Sequence, residues 1–190
     1  ADTDGNTKLE AADKTIIGNP NADYTFGITN NFSYKNFDLN IFFQGSQGGD
    51  IFNMTNVQLF NGDSNTTQDF FNSAWTPTNT DTNTPRVGNN SNREISSRFV
   101  EDGSYIRLKN IAIGYNFPSK VIESLGVENL RLTVSAQNLL TFTKYSGLDP
   151  EVNYFGRSGD NSRSANTVQG FDFGNYPTVR SVNISLNLKF

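Results

Sequence analysis

Five residues near the start of the chain, Asp2, Asp4, Asn6, Lys8 and Asp13, fall at positions 1, 3, 5, 7 and 12 of a calcium-loop pattern, with Leu9 at the apolar eighth. Ca²⁺ takes six or more oxygens, and alternate side chains plus the Lys8 carbonyl can wrap one. Against this, Thr7 stands where the sharp turn wants Gly, and Asp13 is shorter than the usual bidentate Glu. Bound Ca²⁺ is therefore an expectation weighed against a solvated acidic loop. A second carboxylate pair, Asp149 and Glu151, flanks Pro150. Such a pair hydrolyses glycosides when held ~5–9 Å apart with one pKa raised. Both lie in one short turn, which favours turn formation and solvation, so the chain is not expected to be an enzyme.

Trp75, Tyr154, Phe155, Phe171 and Tyr176 are candidate ligand-binding residues, because an aromatic face suits a sugar ring or a peptide side chain. Packing of loops against each other is the blander alternative. The chain has no His and no Cys, which removes disulfides, Cys/His zinc sites and the common Ser-His and Cys-His nucleophile systems. A net charge of -4 argues against nucleic acid as a partner.

The elements that must position these residues read as strands. Val182, Ile184, Leu186, Leu188 and Phe190 alternate with Asn183, Ser185, Asn187 and Lys189. Leu130, Leu132, Val134 and Ala136 alternate with polar residues, and Leu140 and Phe142 continue that face after Asn138. In 104–117 the apolar parity switches near Asn110, as a bulge would make it. Residues 24–34 and 37–45 alternate too, joined by Lys35-Asn36 as a tight hairpin. Ser119 to Leu125 is expected to form one or two helical turns ended by Gly126. No apolar run approaches the ~20 residues of a membrane helix, but a barrel strand needs only ~9–11 and averages out polar.

Short joins alternate with long ones, 46–103 and 143–175, that are rich in Asn, Thr, Gly and Ser. That is the layout of an outer-membrane barrel, with short periplasmic turns and long external loops. The expected fold is all-β: about five C-terminal strands of an antiparallel up-and-down transmembrane barrel, spanning 1–190 as a single portion. Five strands cannot close a barrel, since about eight is the minimum. With its start at Ala1-Asp2-Thr3-Asp4, the chain is expected to be a piece of something larger. Arg107, Lys109, Arg131 and Lys144 should face the lumen or the rims, because a basic residue facing lipid near the midplane costs ~2–4 kcal/mol. Tyr105, Tyr115, Phe117, Phe142 and Tyr145, near strand ends, are expected in an interfacial aromatic girdle.

Several stretches resemble the SusC/RagA-type TonB-dependent outer-membrane transporters. They are Gly103-Ser104-Tyr105-Ile106-Arg107-Leu108-Lys109-Asn110-Ile111 with Gly114-Tyr115-Asn116-Phe117-Pro118, and Ser135-Ala136-Gln137-Asn138-Leu139-Leu140 running on to Gly147-Leu148-Asp149-Pro150-Glu151. Asp172-Phe173-Gly174-Asn175-Tyr176-Pro177 and the terminal Phe190 complete the order. The resemblance implies a 22-stranded barrel of which these are the last five strands, with plug and earlier strands absent here. It further implies energy-coupled uptake of oligosaccharides or peptides, a SusD-like surface lipoprotein as partner, and TonB engaged through the missing N-terminal part. Outer-membrane lipid would surround the wall, with the C-terminus on the periplasmic side. The competing expectation is a secreted β-sandwich that binds glycans.

Overall fold

The computed structural model describes residues 13–60, 65–88, 94–152 and 169–190. In chain order the elements are β1 (Tyr24–Tyr34), β2 (Phe37–Gln47), β3 (Asp50–Asn53), α1 (Met54–Leu59), α2 (Gln68–Ser73), β4 (Val100–Asp102), β5 (Tyr105–Asn116), α3 (Ser119–Leu125), β6 (Asn129–Thr143), β7 (Phe171–Asp172) and β8 (Ser181–Lys189). They divide into two compact units interleaved in sequence. One comprises Ala22–Gly48, Asp102–Glu151 and Asn175–Phe190; the other comprises Ala1–Asn21, Gly49–Glu101 and Val152–Gly174.

The first unit is a five-stranded antiparallel sheet in the order β1-β2-β5-β6-β8. Its strands match the five alternating segments of the sequence, because period-two alternation sends each apolar set to one face. Successive rows on that face run Phe37–Tyr115–Leu132–Leu186, Leu39–Ile113–Val134–Ile184 and Ile41–Ile111–Ala136–Val182. Among the described residues Leu108, Leu130 and Ala136 are buried on this face, but most of it is open: Ile184 is 74% exposed and Phe142 60%. The opposite face is polar, with Asn31, Asn40 and Asn110 linked in a side-chain amide ladder.

The turns follow from local chemistry. Lys35 adopts φ 52° in the β1–β2 hairpin, and Gly126 closes α3 in the left-handed conformation that a Cβ disfavours. The parity switch in β5 is a bulge. Between the rows holding Phe43–Leu108–Leu140 and Ile41–Ile111–Ala136, β2 advances by two residues, β5 by three and β6 by four. The extra residues include Lys109 on β5 and Asn138 on β6. Asn138 sits at φ 51°, and its side-chain amide donates to the Val179 carbonyl. This explains why a polar residue interrupts the apolar parity of β6.

The second unit departs from expectation. The long joins are not simply polar loops: they carry a three-stranded sheet, β4-β3-β7, with β3 and β7 parallel, and the helices α1 and α2. Asn53 caps α1 by accepting from the Asn56 N–H, and Thr67 caps α2 by accepting from Phe70 N–H. The core is phenylalanine-rich: Phe52 and Phe99 are buried with Val57, and Phe60 stacks on Phe70 at 4.6 Å.

Candidate functional site

The polar face of β5 carries Arg107 at a position where alternation turns it away from Ile106 and Leu108. The side chain is 2% exposed, so its charge must be neutralised locally. Asp149 and Glu151 do this. The Arg107 Nη2 donates to Asp149 Oδ1 at 2.5 Å, and Nη1 donates to Glu151 Oε2 at 2.6 Å and to the Thr178 hydroxyl at 3.0 Å. Glu151 accepts in addition from the Tyr105 hydroxyl at 2.9 Å and from Lys109 Nζ at 2.9 Å. Asp149 Oδ1 also accepts from the Glu151 N–H, and its Oδ2 accepts from the Thr178 N–H at 2.8 Å.

Burial pushes the Asp149 carboxyl up, but the Thr178 N–H, the Arg107 guanidinium and the Glu151 N–H outweigh it and hold the group below the usual carboxylate range. A carboxylate held ionised in this way is an anchor and no general acid. It ties the 145–151 turn and the 175–180 segment to the strand β5. A second ion pair lies lower on the same face, where Arg131 grips Asp38 bidentately at 2.7 and 2.8 Å. Gly114 lies between them, and a Cβ there would collide with both the guanidinium and the carboxylate.

Beside the anchor is a cavity of about 550 Å³ bounded by Arg107, Asn138, Thr141, Leu148, Tyr176 and Arg180, among others. Arg107 Nε and Asn138 Oδ1 are buried there without a hydrogen-bond partner among the described residues.

The sequence-predicted residues divide. Tyr176 lines this cavity and is 88% exposed. Phe171 belongs to the other unit, where it packs on Phe52 at 5.4 Å, as does Trp75, whose N–H donates to the Thr84 carbonyl. Tyr154 and Phe155 lie outside the described residues, as do Asp2, Asp4, Asn6 and Lys8 of the calcium pattern; only Asp13 of that set is described. Among the described residues no group of three or more acidic side chains is placed to hold a metal ion.

Arg107, Lys109 and Arg131 all turn to the polar face, as the cost of basic residues in lipid demands. Of the girdle candidates, Tyr115 and Phe117 pack ring to ring at 5.0 Å, and Phe142 is exposed on the apolar face. Tyr105 instead donates its hydroxyl to the Glu151 carboxylate, and Tyr145 is buried. The Arg107 anchor was the functional cluster that sequence reasoning missed. Its signal was an arginine inside an alternating strand, which needs a counter-charge.

Comparison with known proteins gives this architecture a family. A TonB-dependent receptor, P3, of Formosa agariphila is 50% identical over 190 residues, covering all of this chain and 18% of the relative. The chain matches the C-terminal part of TonB-dependent receptors of the SusC/RagA type. A second Formosa agariphila receptor, P26, is 35% identical over 192 residues, and the receptor SusC of Bacteroides thetaiotaomicron is 28% identical over 197. The chain spans 17% to 19% of the length of these relatives and corresponds to their C-terminal part. The RagAB peptide importer in its open-open state superposes with a TM-score of 0.70 at 25% identity, over 87% of this chain and 17% of that one. No family model matches the chain.

TonB-dependent receptors of this type are outer-membrane proteins, so the five-stranded sheet is a piece of barrel wall, open because only part of the barrel is present. Its exposed apolar face is the lipid face and its polar face the lumen. A secreted sandwich would bury the apolar rows under a second sheet, whereas Phe37, Ile113, Val134, Val182, Ile184 and Leu186 in them are exposed among the described residues.

Proposed function

We propose that this chain supplies barrel wall and outer-loop structure to an energy-coupled importer that carries oligosaccharides or peptides across the bacterial outer membrane. The observation that carries the reading is the pair of faces on one sheet. Uncovered apolar rows suit lipid, while the other face presents amide and hydroxyl groups and ion pairs that are compensated, as a wet passage requires. Transport of this kind is binding and gated passage with no covalent step, in keeping with an Asp149 held ionised as an anchor.

The partners follow from the same reading: a SusD-like surface lipoprotein over the outer loops, and TonB engaged through sequence that precedes these residues in the whole protein. The C-terminus faces the periplasm. The tight Lys35-Asn36 turn and the 117–128 join, with Glu128 paired to Lys189, share the end of the sheet at which Phe190 finishes. Ca²⁺ bound by Asp2, Asp4, Asn6, Lys8 and Asp13 is part of the proposal, with a melting temperature that falls on chelation as its test.

The deciding experiment is uptake of labelled oligosaccharides and peptides by cells carrying the full-length protein, with and without TonB. Accumulation that vanishes without TonB is the expected result. Accumulation independent of TonB, or none for any cargo, overturns the reading.

A further inference from the structure

The cavity beside the Arg107 anchor has an uneven inventory of unused groups. Arg107 commits both terminal nitrogens to Asp149 and Glu151, and Asp149 commits both oxygens to Arg107, Thr178 and the Glu151 N–H. Thr143 donates to the Ser104 carbonyl and accepts from Tyr145 N–H. The two buried orphan atoms, Arg107 Nε and Asn138 Oδ1, balance as one donor and one acceptor. What is left over is the Arg180 guanidinium, the Thr141 hydroxyl and the Tyr176 ring and phenol. Among the described residues Arg180 has no carboxylate partner, and neither hydroxyl has a hydrogen bond. The lining charges are two guanidiniums against one carboxylate. A guanidinium fork matches an oxyanion, and an exposed aromatic ring beside it offers a stacking face.

We propose that this cavity, resting on the importer reading above, is a cargo subsite for an oxyanion carried on a short oligomer, with Arg180 and Thr141 holding the anionic group and Tyr176 stacking on the adjoining residue. The volume lies within the range of small-molecule sites and admits one or two sugar or amino-acid units. The anchor gives the subsite its rigidity. Thr178, fixed by Asp149 and Arg107, stands two residues from both Tyr176 and Arg180.

The test is calorimetric titration of the full-length protein in detergent with two matched pairs of probes. One pair is a glucuronate-terminated tetrasaccharide and its carboxyl-reduced counterpart. The other is a tetrapeptide with a free C-terminal carboxylate and its C-terminal amide. The expected result is that the acid of at least one pair binds about tenfold tighter than its neutral twin, as one charge-assisted contact gives. Which pair shows it tells whether sugar or peptide carries the oxyanion. Arg180→Gln should erase the preference and Arg180→Glu reverse it, with the melt of each full-length variant measured alongside to show that it is folded, while Tyr176→Ala weakens both members of a pair alike. Equal affinities within both pairs, a preference that survives Arg180→Gln, or no binding of any probe by folded protein overturns the subsite. TonB-dependent uptake is scored separately and stays positive if only the subsite is wrong.

Discussion

The two units of this chain use the same apolar residues in opposite ways. In the unit built on β3, β4 and β7, phenylalanines turn inward: Phe70 and Phe99 are each 2% exposed and stack into a small core. In the unit of the five-stranded sheet, apolar residues such as Ile113, Ile184 and Leu186 are exposed, and the buried positions include Arg107 and Asp149. A water-facing unit stabilises itself by withdrawing apolar surface. A wall between lipid and a wet lumen inverts this, and its interior problem becomes the neutralisation of charge. The difference teaches that burial alone does not mark the structural centre of a chain; the solvent on each side does.

The sharpest break of that comparison removes the centre of each unit. Arg107→Met leaves Asp149 and Glu151 without their shared cation, at a cost of about 3–5 kcal/mol. Limited proteolysis of the full-length protein should then cut within 144–152. Phe99→Ala should cost a similar ~3–5 kcal/mol by opening a cavity among the phenylalanines, and its cuts should fall within 49–101 instead. If either variant exposed the other segment equally, the two centres would not be separate.

The two faces of the sheet differ by less. Ile184→Arg, in the middle of β8 on the lipid face, should cost about 2–4 kcal/mol, whereas Asn183→Arg on the lumen face should cost under ~1 kcal/mol. Folding titrations of the two variants into vesicles measure the gap, and equal costs would sink the assignment of faces. Acid acts more locally. Asp149 is held below the ordinary range, so its contribution is fully present above the unfolded value of about 3.9 and is lost as pH falls through the folded value. Proteolysis within 144–152 should be constant from pH 7 to 5 and rise only below about pH 4, and Asp149→Asn should remove that acid transition. Smallest is the cap: Thr67→Ala should loosen α2 by about 1 kcal/mol, visible as faster amide exchange at Phe70.

How much of this was legible in the sequence tracks the length and regularity of each element. All five wall strands were placed to within about two residues, because eight or more alternating positions leave little choice of face. The bulge near Asn110 showed as a parity switch, and most of the motifs behind the family resemblance lie in that same wall and the turn that follows β6. The β3-β4-β7 unit was not legible, since its elements are two to six residues long and its phenylalanines recur with no period. The anchor was half legible. Asp149 and Glu151 drew notice as carboxylates, but their partner lies more than forty residues away, on a contact that only the register of β5 and β6 brings about.

The stagger of inserted residues across β2, β5 and β6 has a consequence for shape. Three neighbouring strands span the same two rows with two, three and four residues, so the wall carries a wedge of surplus backbone that widens toward β8. A flat sheet has no room for such a wedge; it must crease along that line, with the local twist tightening above it. Lys109 and Asn138 therefore do more than correct a parity: they set where this stretch of wall bends, and the same two residues reach into the Arg107 anchor and its cavity.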